Sequence, residues 1–262
     1  MCKLLVAVNK GGKENDAELE KIIRIQIEDL KKERHGAAAL AISRDGRTTI
    51  SRSLDDYDAV MKWAIQQIPY SKLISIHTRT SSGGETTLRN VHFFESKNCL
   101  LAHNGFVSGY KTNNGYGANW VKKDKDKQVN LLTKGNADEE DEFSYLEVAE
   151  VGDCDTLQFL KELPKPFDSR SIKDLAKDKN FSGVALFVNR KPSEAYLLAS
   201  RDFDSFVVNE GLAVFFSYSP ETSVKTEYYK KVFGVHVFEE EKELKVDYEE
   251  TKCYPGLFKL DI

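Results

Sequence analysis

The sequence predicts a layered α+β fold, and three features carry that expectation: an apolar strand that starts at residue 2, many short strand-like runs after it, and a few well-formed amphipathic helices between them. Residues 2–8 read as a short buried strand. Asn15 is the expected N-cap of the next helix, with Glu18 three residues later completing a capping-box pattern. Leu19, Ile22, Ile23, Ile27 and Leu30 then recur at helical spacing to about residue 34. Residues 37–42 and 48–53 read as strands joined by the turn Arg44-Asp45-Gly46. Residues 55–68 read as a helix with Val60, Trp63, Ala64 and Ile68 on one face and Pro69 just beyond its end. Residues 73–77 give a further strand, a Ser/Gly/Thr-rich loop covers 78–87, and 91–94 with 99–103 form an expected hairpin.

From about residue 108 to 153 the character changes. Asn113-Asn114-Gly115-Tyr116-Gly117 is loop chemistry, residues 122–127 mix Lys with Asp, and 138–142 are acidic. This stretch reads as a polar insertion or lid with a solvated surface. Beyond it, a helix over 155–163 is stopped by Pro164 and Pro166. Residues 184–188 with 195–200, and 205–208 with 212–218, read as two hairpins. A helix over 221–230 and strands near 232–238 and 244–248 complete the chain, which shows no internal repeat.

A length of 262 residues suits one medium-sized globular domain with a proper core. The formal net charge of -4 gives no electrostatic case for nucleic acid or an anionic membrane. The N-terminal apolar run is too short for a signal peptide, and no later run approaches the ~18 apolar residues of a membrane span. A cytoplasmic location is therefore expected. The four cysteines, Cys2, Cys99, Cys154 and Cys253, include no C-x-x-C pair, which argues against a zinc knuckle. No metal or cofactor is expected: P-loop, phosphoribosyl-binding and Rossmann glycine patterns are missing from the sequence. Cys99 and Cys253 read as small buried apolar residues.

Cys2 differs because of where it sits. Aminopeptidase removal of Met1 would leave a thiol and a free α-amino group on one residue. Their ordinary pKa values are about 8.5 and about 7.7–8.0. A fraction of that amine is unprotonated at neutral pH and accepts the thiol proton, directly or through water, so nucleophile and base come from one residue.

Further along stand His77-Thr78-Arg79, Asn90-Val91-His92 and His103-Asn104-Gly105. With Met1-Cys2 ahead of them, this ordered set resembles the class II glutamine amidotransferases, the group with an N-terminal nucleophile cysteine. Residues 77–105 are similar, without a gap, to the glutaminase domain of glucosamine-6-phosphate synthase. The resemblance implies a four-layer αββα sandwich of the N-terminal nucleophile hydrolase type, one glutamine amidotransferase type 2 domain over residues 1–262, and L-glutamine as substrate. It assigns catalysis to Cys2, with the Asn104 side-chain amide and the Gly105 backbone N–H holding the tetrahedral oxyanion. It assigns substrate binding to Arg79, which would clamp the α-carboxylate bidentately, and to Ser82, His92 and Asp155, the last receiving the α-ammonium, with Asp153 as the neighbouring alternative. His77 and His103 read as packing and hydrogen-bonding residues.

The chain departs from the family at Thr80, where an aromatic is usual, at Phe93, where Pro is usual, at Ser82, where Thr is usual, and at Ala38, where relatives carry an acid. With no second catalytic motif present, the ammonia is expected to pass to a separate synthase partner. The alternatives are an amidohydrolase of the same fold acting on another amide, and a catalytically silent binding or regulatory module.

Overall fold

The computed structural model describes residues 2–33, 35–80, 88–107, 155–200, 203–209, 211–218, 236–237, 252–253, 256–260 and 262. The polar insertion, the helix expected over 221–230, the strand expected over 244–248, Ser82 and Cys154 lie outside these residues. In chain order the elements are β1 (Lys3–Asn9), α1 (Lys13–Leu30), β2 (Ala37–Ser43), β3 (Thr48–Ser53), α2 (Tyr57–Gln67), β4 (Ser71–Thr78), β5 (Phe94–Ser96) and β6 (Cys99–Val107). They continue with α3 (Asp155–Glu162), α4 (Ser169–Asp178), β7 (Phe181–Asn189), β8 (Glu194–Ala199), β9 (Phe203–Asn209), β10 (Leu212–Phe216), β11 (His236–Val237), β12 (Lys252–Cys253) and β13 (Gly256–Leu260).

The strands form two sheets, ordered β12-β9-β10-β1-β4-β2-β3 and β11-β13-β8-β7-β6-β5, with every recorded pair antiparallel. Side chains alternate across a strand, so each central strand feeds two apolar layers. In β1, Leu4, Val6 and Val8 point between the sheets, where they join Leu40 of β2, Leu100 and Ala102 of β6, and Val184 and Leu186 of β7. Leu5 and Ala7 point the other way, onto Leu19, Ile22 and Ile23 of α1 and Val60 and Ala64 of α2. The second sheet repeats the logic: Leu101, Ala185 and Phe187 pack outward against Leu157, Phe159 and Leu160 of α3 and Ile172 of α4. Three apolar layers between helix, sheet, sheet and helix make the four-layer αββα sandwich that the resemblance implies. Truncating a buried aromatic such as Phe187 to Ala in such a layer costs about 3–5 kcal/mol.

Several local expectations need correction. Helix α1 starts at Lys13 with Gly12 as its N-cap and no side-chain cap, and it ends at Leu30 rather than near 34. Asn15 lies inside the helix and is buried, because its amide fills the space beside Gly11 and Gly211. Asp56 caps α2 by accepting from the Ala59 N–H at 2.8 Å. The short strand that pairs with β6 is Phe94–Ser96, three residues later than the expected start at Val91. Helix α4 went unanticipated although it carries a complete capping box: Asp168 accepts from the Ser171 N–H at 2.8 Å and Ser171 Oγ accepts from the Asp168 N–H at 3.0 Å. Strand β13 also went unanticipated.

Candidate active site

Cys2 sits just ahead of β1, whose register pairs Lys3 with Thr78 of β4. The next step outward brings Cys2 beside Arg79 and Thr80, and its Sγ lies 3.4 Å from the Thr80 carbonyl oxygen. Burial pushes the thiol pKa up; the Thr80 backbone, the Arg79 guanidinium and the amino terminus pull it back without cancelling that rise, and Glu33 adds to it. A group so placed stays a protonated thiol near neutral pH and needs a base at hand. Lys3 faces the helix layer. Its Nζ donates to the Asp29 carbonyl at 2.6 Å, pairs with the Asp29 carboxylate at 2.8 Å and lies 3.9 Å from Glu33, with the Tyr218 ring centroid at 5.3 Å. This half-buried ammonium ties the residue next to Cys2 onto the end of α1.

Arg79 is buried, and its backbone is held by an extension of the β2–β4 pairing. Its N–H donates to the Gly36 carbonyl at 2.9 Å, and its carbonyl accepts from the His35 N–H at 2.9 Å. The Gly36 N–H in turn donates to the Tyr57 hydroxyl at 2.6 Å. Gly36 has a φ of 116°, and a Cβ there would lie 2.3 Å from Val91, so this turn requires glycine.

The two residues expected to hold the oxyanion lie on β6. Asn104 faces the inter-sheet layer and its Nδ2 donates to Ser217 Oγ at 2.6 Å. Ser217 Oγ also accepts from the Leu4 N–H at 2.9 Å, so one hydroxyl joins the Asn104 amide to the strand two residues from Cys2. The Ser217 N–H donates back to the Leu4 carbonyl at 2.9 Å. In the sequence Ser217 falls only within the strand expected over 212–218; nothing local marks it as a residue that bonds Asn104. Gly105 pairs with Gly183 across β6 and β7, and a Cβ on Gly105 would lie 1.9 Å from the Ser182 carbonyl oxygen and 2.7 Å from the Gly183 Cα. The two strands approach this closely because both residues lack side chains.

His92 is buried, and its Nδ1 accepts from the His103 N–H at 3.0 Å. Its ring stacks on His77 with centroids 4.0 Å apart. Burial holds the His92 pKa well below its ordinary value and brings His77 down to about 3. Both rings are neutral at working pH. Asp155 opens α3, with Oδ2 accepting from the Val107 N–H at 2.6 Å and Oδ1 from the Thr156 N–H at 2.8 Å. The Thr156 hydroxyl lies 3.4 Å from Oδ1 as well, so three of the about four acceptor sites of a carboxylate are engaged. The structure therefore brings Cys2, Arg79, Asn104 and Gly105 to the shared end of β1, β4 and β6, and sets Asp155 at the end of β6. No group of three or more His, Cys, Asp or Glu that would hold a metal occurs among the described residues. No helix of the described residues is long and apolar enough to cross a membrane.

No family model matches the chain, and no curated protein matches it. Among solved structures it is similar to a glutamine phosphoribosylpyrophosphate amidotransferase from B. subtilis, at 14% identity over 82% of this chain and 42% of that one, with a TM-score of 0.46. It is similar to an allosteric regulatory enzyme of purine biosynthesis at 14% identity, over 82% of this chain and 42% of that one, with a TM-score of 0.49. A glutamine aminotransferase class-II domain protein from Silicibacter pomeroyi aligns at 12% identity over 82% of this chain and 88% of that one, with a TM-score of 0.38. The chain spans 42% of the length of the first two.

Proposed function

We propose that this chain is a glutamine amidotransferase domain of the N-terminal nucleophile hydrolase type, which hydrolyses the side-chain amide of L-glutamine through a thioester on Cys2. One observation carries the proposal: residues 2, 79 and 104, far apart in sequence, meet at one end of the sandwich, through the Cys2–Thr80 contact at 3.4 Å and the Asn104–Ser217–Leu4 link. The motif likeness to the glutaminase domain of glucosamine-6-phosphate synthase supports the same assignment.

The chemistry follows from the surroundings of the thiol. With Met1 removed, the freed α-amino group of Cys2 takes the thiol proton as Sγ attacks the amide carbonyl. Burial raises the thiol pKa, so little standing thiolate exists near neutral pH and a base beside the sulfur is required. The carbonyl oxygen becomes an oxyanion held by the Asn104 amide and the Gly105 N–H. Losing one such donor costs about 10²–10³ in rate. The α-ammonium returns its proton to the departing nitrogen, ammonia leaves, and water then cleaves the thioester to glutamate. Arg79 clamps the α-carboxylate, Asp155 receives the α-ammonium, and Ser82 and His92 complete the glutamine pocket. Ammonia passes to a separate synthase partner.

Replacing Cys2 by Ala tests the proposal. Glutaminase turnover and labelling by a glutamine-mimicking electrophile such as diazo-oxo-norleucine should both disappear while the fold persists; turnover that survives would end the assignment. An intact-mass measurement showing retained Met1 would remove the base. One observation favours a second reading, an amidohydrolase of another amide: both Asp155 oxygens already accept backbone hydrogen bonds. Equal turnover of glutamine and of simple primary amides would select that reading.

A further inference from the structure

Asp155 and Gly105 are joined by more than neighbourhood. His103, Gly105 and Val107 alternate along β6 and share its outer face, and the two flanking residues are both anchored to Asp155. Val107 is anchored directly, its N–H donating to Oδ2 at 2.6 Å. His103 is anchored through Thr156: His103 Nδ1 lies 3.0 Å from Thr156 Oγ1, which lies 3.4 Å from Asp155 Oδ1. His103 Nε2 lies 3.0 Å from the Ser182 carbonyl, which only accepts, so Nε2 carries a hydrogen, and the single Thr156 hydroxyl hydrogen is shared between Asp155 Oδ1 and His103 Nδ1. Gly105 rests directly on this ring, since a Cβ on it would lie 2.6 Å from His103 Nε2. His103 and Thr156 are both buried, so these bonds do not exchange freely with water.

We propose that Thr156 and His103 are positioning residues that couple the carboxylate receiving the substrate α-ammonium to the strand residue whose N–H holds the oxyanion. The proposal rests on the glutaminase reading above. Occupation of Asp155 by an ammonium tightens the frame Asp155–Thr156–His103 and Val107, and Gly105 sits at its centre. The ammonium is thus used twice, once for binding and once for setting the oxyanion donor. In kinetic terms it contributes to kcat as well as to KM.

The test compares L-glutamine with 4-carbamoylbutanoate, which keeps the carboxylate and the amide but lacks the α-ammonium. In the wild-type chain the analogue should lose kcat as well as raise KM. In Thr156→Val the kcat ratio between the two substrates should shrink by about tenfold, the size of a contact coupling, while the KM ratio stays. Thr156→Ser, which keeps the hydroxyl, should restore the wild-type kcat ratio. Should Thr156→Val fail to fold, Thr156→Ala serves in its place: it removes the hydroxyl that faces both Asp155 and His103 without adding a second methyl. A kcat ratio identical in wild type and variant, or a wild-type kcat indifferent to the ammonium, overturns the coupling while leaving the glutaminase assignment standing. Absence of glutamine turnover in the wild type, or turnover retained in Cys2→Ala, overturns both.

Discussion

Acid should destabilise this chain through His77. The ring is fully buried between the sheets, opposite Leu4 of β1 and Ala38 of β2, and neither nitrogen has a hydrogen-bond partner. Burial is the main cause of a pKa lowered from 6.5 to about 3; the His103 backbone opposes it without meeting hydrogen-bond geometry, and Arg79 reinforces it. The folded chain thus keeps His77 neutral while the unfolded chain protonates it below 6.5. Stability is complete above that value and falls as pH drops from 6.5 toward 3. Each pH unit in the window is worth 1.36 kcal/mol, giving a loss of about 2 kcal/mol at pH 5 and about 5 kcal/mol at pH 3. His92, stacked on it with its own pKa lowered, adds in the same direction. Urea unfolding at pH 7.5, 6 and 5 would measure the slope, with His77→Leu as the comparison. Leu is close to His in volume and leaves no polar partner stranded, so the variant should differ from wild type by less than about 1.5 kcal/mol at pH 7.5. At pH 5 it should have lost about 2 kcal/mol less than wild type. Parallel pH profiles for the two proteins would refute the assignment of the window to His77.

Other substitutions probe the site itself. Gly105→Ala would push a Cβ to 1.9 Å from the Ser182 carbonyl, a backbone atom that yields only if β6 and β7 part; the thermal midpoint should fall and kcat for glutamine drop about 10²-fold or more, and unchanged kcat would contradict the oxyanion role. Ser217→Ala strands the Leu4 N–H and leaves the Asn104 amide only its longer bond to the Ser217 carbonyl at 3.4 Å, so urea unfolding should show a loss of about 1–3 kcal/mol together with a lower kcat. Arg79→Met removes a cation that lowers the Cys2 pKa, so the pH profile of Cys2 alkylation by iodoacetamide should move to higher pH, and KM for glutamine should rise; a profile shifted to lower pH would refute this electrostatic account.

The fold was legible where periodicity alone decides. Leu4, Val6 and Val8 against Leu5 and Ala7, and Leu19, Ile22 and Ile23 along α1, announce layers because strand and helix periods differ. Asn15 misled because its residue type fits a cap, yet a tertiary contact with Gly11 and Gly211 fixes it inside the helix. Helix α4 was hidden behind Pro164 and Pro166, although Asp168 and Ser171 spell out its start. The candidate site was legible as motifs because Arg79 directly follows β4 and Asn104 and Gly105 are neighbours within β6. Their supports were not, since Ser217 stands 113 positions from Asn104 and Tyr57 stands 21 from Gly36. Ala38 lies between His77 and Arg52 in the sheet register, so an acid at this position would fall between a neutral imidazole and a guanidinium.

The alternation of β1 also works as a two-position ruler for chemistry. Lys3 turns its ammonium toward α1 and Leu4 turns toward the facing sheet, so every odd place belongs to one compartment and every even place to the other. Slipping the strand by a single residue would send the sulfur under the helices and swing a lysine into the cleft. A one-residue insertion between Cys2 and Leu4 is therefore a harsher change than many substitutions: it would silence the nucleophile without altering any atom of it.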